Sequence, residues 1–494
     1  MKTINYRKIL VFSLLSVLIF TGCRKDEVPP APVIIPQATA VNKFIYNGLH
    51  DYYLWYSQVP ELTNTKYSDT DSLNVFLNKF SDPQILFTSL LYKYKTIDKW
   101  SFLVDNSKTI DDWISGISET MGYDFMLGRI GDSDDLFGFV RYVYQDSPAE
   151  KAGLKRGDIF MTINNTQLTV SNYQELLFAT PTYTIGFAEI TDHKIAAISK
   201  TMTMTAIEMQ ENPINKDTIF TFNNQKVGYL VYNGFNADFD LQLNDVIKKF
   251  KDAGINQMVL DLRYNGGGSV TSSIYLASMI YSTDHNRLFA KAQYNSAFQK
   301  ALLDYYGPTY LYDNFTETIE ATDVTPATPI NCLNLQKIYI IVSDNTASAS
   351  ELLINGLRPY MNVKVVGINT VGKYTGSTTI KDWDDQGEVN PTHDYAMQPI
   401  VVKYANSAGV TDYVDGLTPD IIAEEDIANL MPFGDPNETL LKAVLDDMKG
   451  IPVTAQILKS AQIGIRKVVG SHDFKPFANE MYIKPMNKLL PTSK

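Results

Sequence analysis

The stretch KIYIIVSDNTASASELLINGL, residues 337–357, runs from an apolar segment through small polar residues into an amphipathic segment. A short apolar run bounded by turn residues predicts a buried strand, and ASELLINGL predicts a helix that must end before Pro359. Ser348 lies at this junction. Serine is common there as a helix N-cap, but a serine nucleophile would also fit a strand-to-helix turn, so the local sequence leaves both interpretations open.

The neighbouring sequence repeats this pattern of a strand followed by a helix. Apolar segments at 226–235, 255–264 and 363–368 predict strands, and amphipathic segments at 238–254 and 269–281 predict helices between them. Such alternation indicates an α/β core with a largely parallel sheet. We place this core at residues 213–447.

A glycine-rich loop follows one of these predicted strands, in the sequence DLRYNGGGSV at residues 261–270. Glycines allow close approach to the backbone, and N–H groups before a helix favour an anion. The loop lacks the Gly-Lys-Ser/Thr ending of a phosphate-binding P-loop and the spacing of a dinucleotide site. An oxyanion hole needs the same fixed N–H donors.

A lysine in a glycine-flanked turn, Lys373, follows the predicted strand at 363–368. A lysine serves as general base for a serine when burial lowers its pKa, although a lysine in a turn is most often simply solvated. The five histidines lie in no serine-peptidase pattern, and no metal-binding motif is present. These features predict no metal and no cofactor.

The middle of the chain contains DSPAEKAGLKRGDIFMTINN, residues 146–165. It resembles the PDZ domain of bacterial proteases, and we assign residues 113–212 to such a domain. The resemblance implies that an extended peptide adds to a sheet edge while backbone N–H groups hold its terminal carboxylate. It places the carboxylate loop near residues 121–127, with Gly122, Tyr123 and Phe125 as substrate-binding residues.

Taken together, DLRYNGGG, TASASE, TVGK, DGLTPDI and GDPNETLLKAVL occur in an order and spacing that resemble the C-terminal processing (tail-specific) serine peptidases. The resemblance implies a multidomain α/β protein with a ClpP/crotonase-like core and a serine endopeptidase activity. It makes Ser348 the nucleophile and Lys373 the general base. The other implied site residues are the oxyanion donors Ala349 and Gly266 or Gly267, the supporting Glu351, and Thr379 or Ser377 beside the lysine. The alternative is an inactive peptide-binding protein on a peptidase scaffold.

The first 23 residues combine a basic start, a short apolar run and Gly22-Cys23. This pattern resembles a bacterial lipoprotein signal, with residues 1–22 removed and Cys23 lipidated. A Pro-rich spacer covers residues 23–39, and its Lys-Asp-Glu at 25–27 resembles the export signal of Bacteroidota surface lipoproteins. The expected location is the bacterial cell envelope, as an outer-membrane lipoprotein that is periplasmic or surface-exposed.

The composition limits the remaining possibilities. With 45% hydrophobic and 20% charged residues the chain is typical of globular proteins, and its net charge of −12 excludes nucleic acid as the main partner. Residues 40–112 read as a helical N-terminal domain rich in aromatics, and 448–494 as a C-terminal extension with no informative pattern. The expected partners are protein or peptide substrates and, through Cys23, a membrane.

Overall fold

The computed structural model describes residues 35–384, 388–453, 459–475 and 477–485. The predicted signal peptide and the lipidation site Cys23 lie outside these ranges. Within them, no helix is long and apolar enough to cross a lipid bilayer.

The N-terminal region is helical, as predicted. Thr39 caps the first helix by accepting a hydrogen bond from the Asn42 N–H, and buried aromatic side chains join the helices into one core. The elements are α1 (Ala40–Tyr52), α2 (Pro60–Thr63), α3 (Thr70–Leu77), α4 (Pro83–Ser89), β1 (Phe102–Val104) and α5 (Lys108–Ile114).

The middle region, assigned above to a PDZ-like domain, consists mainly of strands with two short helices. The helix of the PDZ-like motif begins after Ser147, which accepts from the Glu150 N–H, and ends at Gly153 with a φ of 89°. The elements are β2 (Ile117–Thr120), β3 (Tyr123–Ile130), β4 (Phe137–Val143), α6 (Pro148–Ala152), β5 (Ile159–Ile163), β6 (Thr166–Gln167), α7 (Tyr173–Phe178), β7 (Thr182–Thr191), β8 (Lys194–Thr205) and β9 (Ile207–Gln210).

The third region alternates strands and helices, which confirms the predicted α/β core. Its elements are β10 (Ile214–Phe222), β11 (Gln225–Tyr232), α8 (Asp240–Asp252), β12 (Gln257–Asp261), β13 (Gly268–Ser269), α9 (Val270–Ile280), β14 (Leu288–Tyr294), α10 (Ser296–Tyr306), β15 (Tyr312–Asn314), β16 (Thr318–Ile319), β17 (Thr328–Pro329), β18 (Lys337–Val342), α11 (Ala349–Leu357), β19 (Asn362–Gly367), β20 (Thr375–Thr378), β21 (Ile380–Lys381), β22 (Ala396–Gln398), β23 (Ile400–Asn406), β24 (Ile421–Ile422) and α12 (Thr439–Met448).

The main core sheet has the order β10-β11-β12-β18-β19-β24, in which all neighbours except β10 and β11 are parallel. Side chains alternate along β18: Ile338 and Ile340 pack with helices α8, α9 and α11, while Tyr339 and Ile341 pack with α12. Because both faces are covered, the carboxyl ends of β12 and β18 deliver the glycine loop and Ser348 to one edge of the sheet.

The C-terminal extension joins two sheets, which its sequence did not indicate. After α13 (Lys459–Ile463), strand β25 (Ile465–Gly470) pairs with β3 in the sheet β25-β3-β4-β5-β7-β8. Strand β26 (Met481–Ile483) lies between β13 and β20 in the core sheet β13-β26-β20-β23-β14-β15. The extension therefore connects the PDZ-like region to the edge of the core where Ser348 lies.

Candidate active site

Ser348 is held in an unusual backbone conformation at the start of α11. Its φ of 67° with a ψ of −116° lies outside the left-handed helical region, and such a sparsely populated conformation costs a non-glycine residue of order 1–3 kcal/mol and clusters at functional sites. The residue is buried, and its Oγ forms no hydrogen bond with the described residues. The hydroxyl is thus not used as a helix cap, which weakens the structural interpretation of Ser348.

Glu351, one turn into α11, fixes both loops of the site. Its Oε2 accepts hydrogen bonds from the backbone N–H of Ser348 and of Lys373, both at 2.8 Å. Its Oε1 accepts from the Gly372 N–H at 2.7 Å and from the Thr370 hydroxyl. Burial raises the pKa of Glu351, and these four hydrogen bonds oppose that shift. One carboxylate therefore sets the positions of the serine turn and the lysine turn.

Lys373 is completely buried, not solvated as a typical turn lysine would be. Its Nζ lies 2.7 Å from Oε2 of Glu480 and 4.9 Å from the centre of the Trp100 ring, contributed by the N-terminal region. Burial lowers the pKa of Lys373, and the carboxylates of Glu480, Asp98 and Glu351 oppose the shift. A buried lysine of this kind meets the first requirement for a general base.

Glu480 is the residue at this site that sequence reasoning missed. It comes from the C-terminal extension, immediately before β26, and burial raises its pKa. No local motif surrounds it, so its proximity to Lys373 depends on a strand pairing that links distant parts of the chain.

Of the two residues expected beside Lys373, Thr379 has its hydroxyl hydrogen bond elsewhere, and Ser377 is linked to the lysine through Glu480. The Thr379 hydroxyl donates to Gln398 at 2.8 Å, Gln398 donates to Ser377, and Ser377 donates to Glu480 at 3.0 Å. The hydrogen-bond chain therefore reaches the lysine through Ser377 and Glu480, and the carboxylate takes the place expected for a hydroxyl.

The glycine loop lies directly against the nucleophile turn. A Cβ placed on Gly267 would lie 2.6 Å from the Cβ of Ser348 and 3.0 Å from the backbone nitrogen of Ala349. The Gly267 N–H donates to the side chain of Asn265 at 2.9 Å, so in this conformation it is not free to hold an oxyanion. The Asn265 carbonyl in turn accepts from the Ala347 N–H, which joins the two loops.

Of the three residues expected to bind substrate in the PDZ-like region, two have side chains that point into its core. The side chains of Tyr123 and Phe125 are buried in the core of this region, and the Tyr123 hydroxyl lies 2.6 Å from that of Tyr183. The Gly122 N–H donates to Thr120 at 3.0 Å. Only the backbone of β3 can therefore meet an added peptide at these positions.

Buried ion pairs attach the PDZ-like region to the core. Arg156 donates to Glu425 at 2.6 Å, and Arg263 reaches Glu425 and Glu438, both at 2.7 Å. Burial alone would raise the pKa of Glu425, but Arg156 and Arg263 outweigh it and hold this pKa well below its ordinary value. Arg141 also contacts Asn345, in the turn before Ser348, at 3.2 Å.

A cavity of about 390 Å³ opens beside the glycine loop. Its walls come from α5, from the strand ends near Asn233, from Gly266, Gly267 and Gly268, and from the C-terminal extension. A cavity of this size accommodates a few side chains of an extended peptide. Among the described residues, no group of three His, Cys, Asp or Glu side chains could hold a metal ion.

Family models match three parts of the chain. The model of peptidase family S41 matches residues 226–422, and the model of the peptidase S41 N-terminal domain matches residues 40–102. A PDZ domain model matches residues 139–181.

Similar proteins include two named peptidases. The chloroplastic C-terminal processing peptidase of Tetradesmus obliquus is 25% identical over 295 residues, which are 57% of this chain and 55% of that protein. The carboxy-terminal processing protease CtpA of Bacillus subtilis is 23% identical over 371 residues, 74% of this chain and 68% of that protein. A solved structure described as an S41 protease from Bacteroides fragilis is 26% identical to this chain in sequence and superposes on it with a TM-score of 0.65. The superposition covers 86% of this chain and 100% of that protein.

Proposed function

Because this chain belongs to peptidase family S41, a family of serine-type peptidases, we propose that it hydrolyses peptide bonds with Ser348 as nucleophile and Lys373 as general base. The observation that carries the proposal is the Glu351 carboxylate, which accepts from the backbone N–H of both residues and so holds a strained serine and a buried lysine in one unit.

The reaction follows from this arrangement. Ser348 Oγ attacks the scissile carbonyl carbon while Lys373 Nζ accepts the hydroxyl proton. The Ala349 N–H and an N–H of the glycine loop stabilise the oxygen as it becomes negative, with Gly266 the better candidate because Gly267 donates to Asn265. Lys373 then returns the proton to the leaving amine, and a water molecule hydrolyses the resulting ester by the same steps.

The PDZ domain recruits the substrate in this proposal. An extended substrate chain pairs with the β3 edge in place of strand β25, which occupies that edge in this structure, and its terminal carboxylate arrives at residues 121–127, at the start of β3. The ion pairs of the PDZ domain with the core keep this edge at a fixed position relative to Ser348.

Single substitutions test the dyad. We expect Ser348→Ala and Lys373→Ala each to abolish cleavage of an unfolded protein such as casein while the fold and peptide binding remain. Ser350→Ala is the matched control, because this neighbouring serine is also buried but its hydroxyl donates to the Asn265 carbonyl. Cleavage retained by Lys373→Ala would disprove the assignment of the base.

A peptide-binding protein without catalysis is the second candidate. It is favoured by the absence of a hydrogen bond between Ser348 Oγ and Lys373 and by the contact of Lys373 with Glu480. A peptide boronate separates the two functions: an adduct on Ser348, detected by mass spectrometry, supports the peptidase, whereas a folded protein that forms no adduct and cleaves nothing supports the binding protein.

For location, we propose that Cys23 is lipidated and that the chain is anchored in the cell envelope, on the basis of the first 23 residues. In a bacterial host, wild type should incorporate labelled fatty acid and sediment with membranes. Cys23→Ala should do neither, and labelling of that variant would overturn the proposal.

A further inference from the structure

The PDZ edge is already occupied by the chain itself. Strand β25 pairs antiparallel with β3, from Ile465 opposite Ile130 to Gly470 opposite Met126. It runs toward the start of β3, which is the direction that a bound C-terminal peptide takes when it adds antiparallel to this edge.

The residues after β25 fill the groove between β3 and α7. The Ser471 hydroxyl oxygen accepts the Phe125 N–H at 3.0 Å, in the loop expected to hold a carboxylate, and donates to Asp124 at 2.7 Å. Farther along, the Phe474 ring lies 4.8 Å from the ring of Phe178 on α7. A serine hydroxyl and a phenylalanine ring thus take the places of a peptide's end and of its side chain.

The same segment then crosses the glycine loop. A Cβ on Gly266 would lie 2.9 Å from the His472 ring and 3.2 Å from the Ala478 carbonyl, and a Cβ on Gly267 would lie 2.9 Å from the Glu480 carbonyl. A scissile peptide bond at Ser348 needs the space in front of these glycines. The segment therefore lies where the substrate backbone must pass.

At its end, the segment engages the proposed base. The Glu480 carboxylate lies 2.7 Å from Lys373 Nζ, with both side chains buried. A carboxylate at this distance stabilises the charged ammonium, whereas a general base must be neutral. In agreement, Ser348 Oγ has no hydrogen bond to any described residue, Lys373 included.

We propose that residues 465–475 and 477–483 form an internal inhibitor, which holds the PDZ edge with β25 and Lys373 with Glu480, and that the C-terminal end of an unfolded substrate releases it by competing for β3. The proposal rests on the function given above. One contiguous segment contacts both sites, so displacement at β3 loosens the part that covers the glycine loop and Glu480.

Strand β25 and a substrate peptide should compete for the β3 edge with similar free energies of binding. A substrate peptide replaces the β25 backbone hydrogen bonds with equivalent ones, and its carboxylate makes a charge-assisted hydrogen bond with the Phe125 N–H. Against this gain stands the loss of the hydrogen bond from Ser471 to Asp124, whose charge Arg141 balances. The ion pairs made by β25, Arg466 with Asp132 and Lys467 with Glu424, are solvent-exposed and contribute little.

A reversible staple tests whether β25 must leave. Ile130 and Ile465 face each other, and the Gly131 N–H bonds the Gly464 carbonyl beside them, so they form the closely spaced non-hydrogen-bonded pair that a disulfide can bridge. In the full chain carrying Ile130→Cys and Ile465→Cys, we expect oxidation to suppress both binding of a fluorescent IRKVVGS peptide with a free carboxylate and cleavage of casein. Reduction should restore both to the values of the unstapled protein.

A variant that weakens the packing of β25 against the PDZ core tests the same proposal. Val469 packs on the PDZ core opposite Leu127, whereas Val468 is the exposed residue of the bulge in β25. Val469→Asp should increase peptide affinity and cleavage at least several-fold, and the matched Val468→Asp should behave as wild type. Equal behaviour of the two variants would overturn the role of β25.

The variant Glu480→Gln distinguishes a carboxylate that inhibits catalysis from one that assists it. If Glu480 holds Lys373 charged, the variant should cleave faster, by about tenfold for each pKa unit that the carboxylate adds to the lysine. Slower cleavage with unchanged stability would show that Glu480 assists the reaction and would overturn the proposal.

Peptide binding distinguishes failure of this inference from failure of the proposed function, because it is measured in Ser348→Ala protein and needs no catalysis. Binding that responds to the staple, with no cleavage in any variant, would disprove the peptidase and leave the occupied groove in place. Cleavage and peptide binding that are the same with the disulfide formed and with it reduced would disprove the internal inhibitor but not the peptidase activity.

Discussion

Replacing Glu351 by glutamine should destabilise the catalytic turns, because a glutamine cannot accept all four hydrogen bonds that the carboxylate accepts. With its amide oxygen toward the N–H groups of Ser348 and Lys373, the variant turns its NH₂ group toward Thr370 and the Gly372 N–H. The Thr370 hydroxyl can rotate to accept, but the Gly372 N–H loses its acceptor.

The cost follows from these contacts. A buried N–H without a partner costs about 1–3 kcal/mol, and the two retained bonds lose the assistance of a charge. Removing a buried charge offsets part of this loss, since burial already raises the pKa of Glu351. We expect a net loss of about 2–3 kcal/mol in local stability and a lower kcat with little change in KM, because the substrate contacts are untouched.

Hydrogen exchange of the α11 amides measures the local stability, and casein cleavage measures the rate. Glu320→Gln is the control: this carboxylate is exposed and pairs with Lys484, so its loss should change stability by less than about 0.5 kcal/mol. If α11 of Glu351→Gln exchanges as slowly as in wild type and kcat is unchanged, the carboxylate does not position the two turns.

Two further predictions concern the same site. Gly267→Ala should abolish cleavage, since its Cβ would lie 2.6 Å from the Cβ of Ser348. Gly254 also has a positive φ, 66° against 113° at Gly267, but no atom lies within 4 Å of its Cβ, so Gly254→Ala should cost only about 1 kcal/mol of stability and no activity. Equal losses in both variants would refute the contact. The pH profile of kcat/KM should rise through the pKa of Lys373, which burial lowers while the carboxylates of Glu480, Asp98 and Glu351 oppose, because only the neutral amine accepts the proton. A rate that falls with rising pH over the same range would exclude lysine as the base.

The elements of the α/β core were predictable because they depend on local sequence, whereas the roles of the motif residues came from the family resemblance. Helix α11 spans Ala349–Leu357, as the small residues before it and Pro359 after it imply, and β18 shows the period of two that its apolar run allows. The family resemblance implied a supporting role for Glu351, and its position three residues after Ser348 in a helix brings it back to the N-terminus.

The C-terminal extension was not predictable for the opposite reason. The strands Ile465–Gly470 and Met481–Ile483 are short, and their partners lie in two sheets formed hundreds of residues earlier. Ser377 and Glu480, for example, are 103 residues apart in sequence. Strands this short carry little periodic signal, so nothing in this stretch distinguishes Glu480 from a surface glutamate.

Burial and hydrogen bonds act in opposite directions on the charge state of the Lys373–Glu480 pair. A buried lysine and glutamate can exist as an ion pair or, after proton transfer, as two neutral groups, and only the neutral lysine can activate Ser348. The Ser377 hydroxyl accepts from Gln398 and has two acceptors within reach, the Glu480 carboxylate at 3.0 Å and the Met481 carbonyl at 3.1 Å. When its hydrogen lies on the carboxylate it favours the ion pair with a charged Lys373, in opposition to burial, which lowers the pKa of Lys373 and raises the pKa of Glu480. In the mechanism we propose, the segment that brings Glu480 moves before Lys373 takes the proton of Ser348, and this movement would couple catalysis to what occupies the β3 edge.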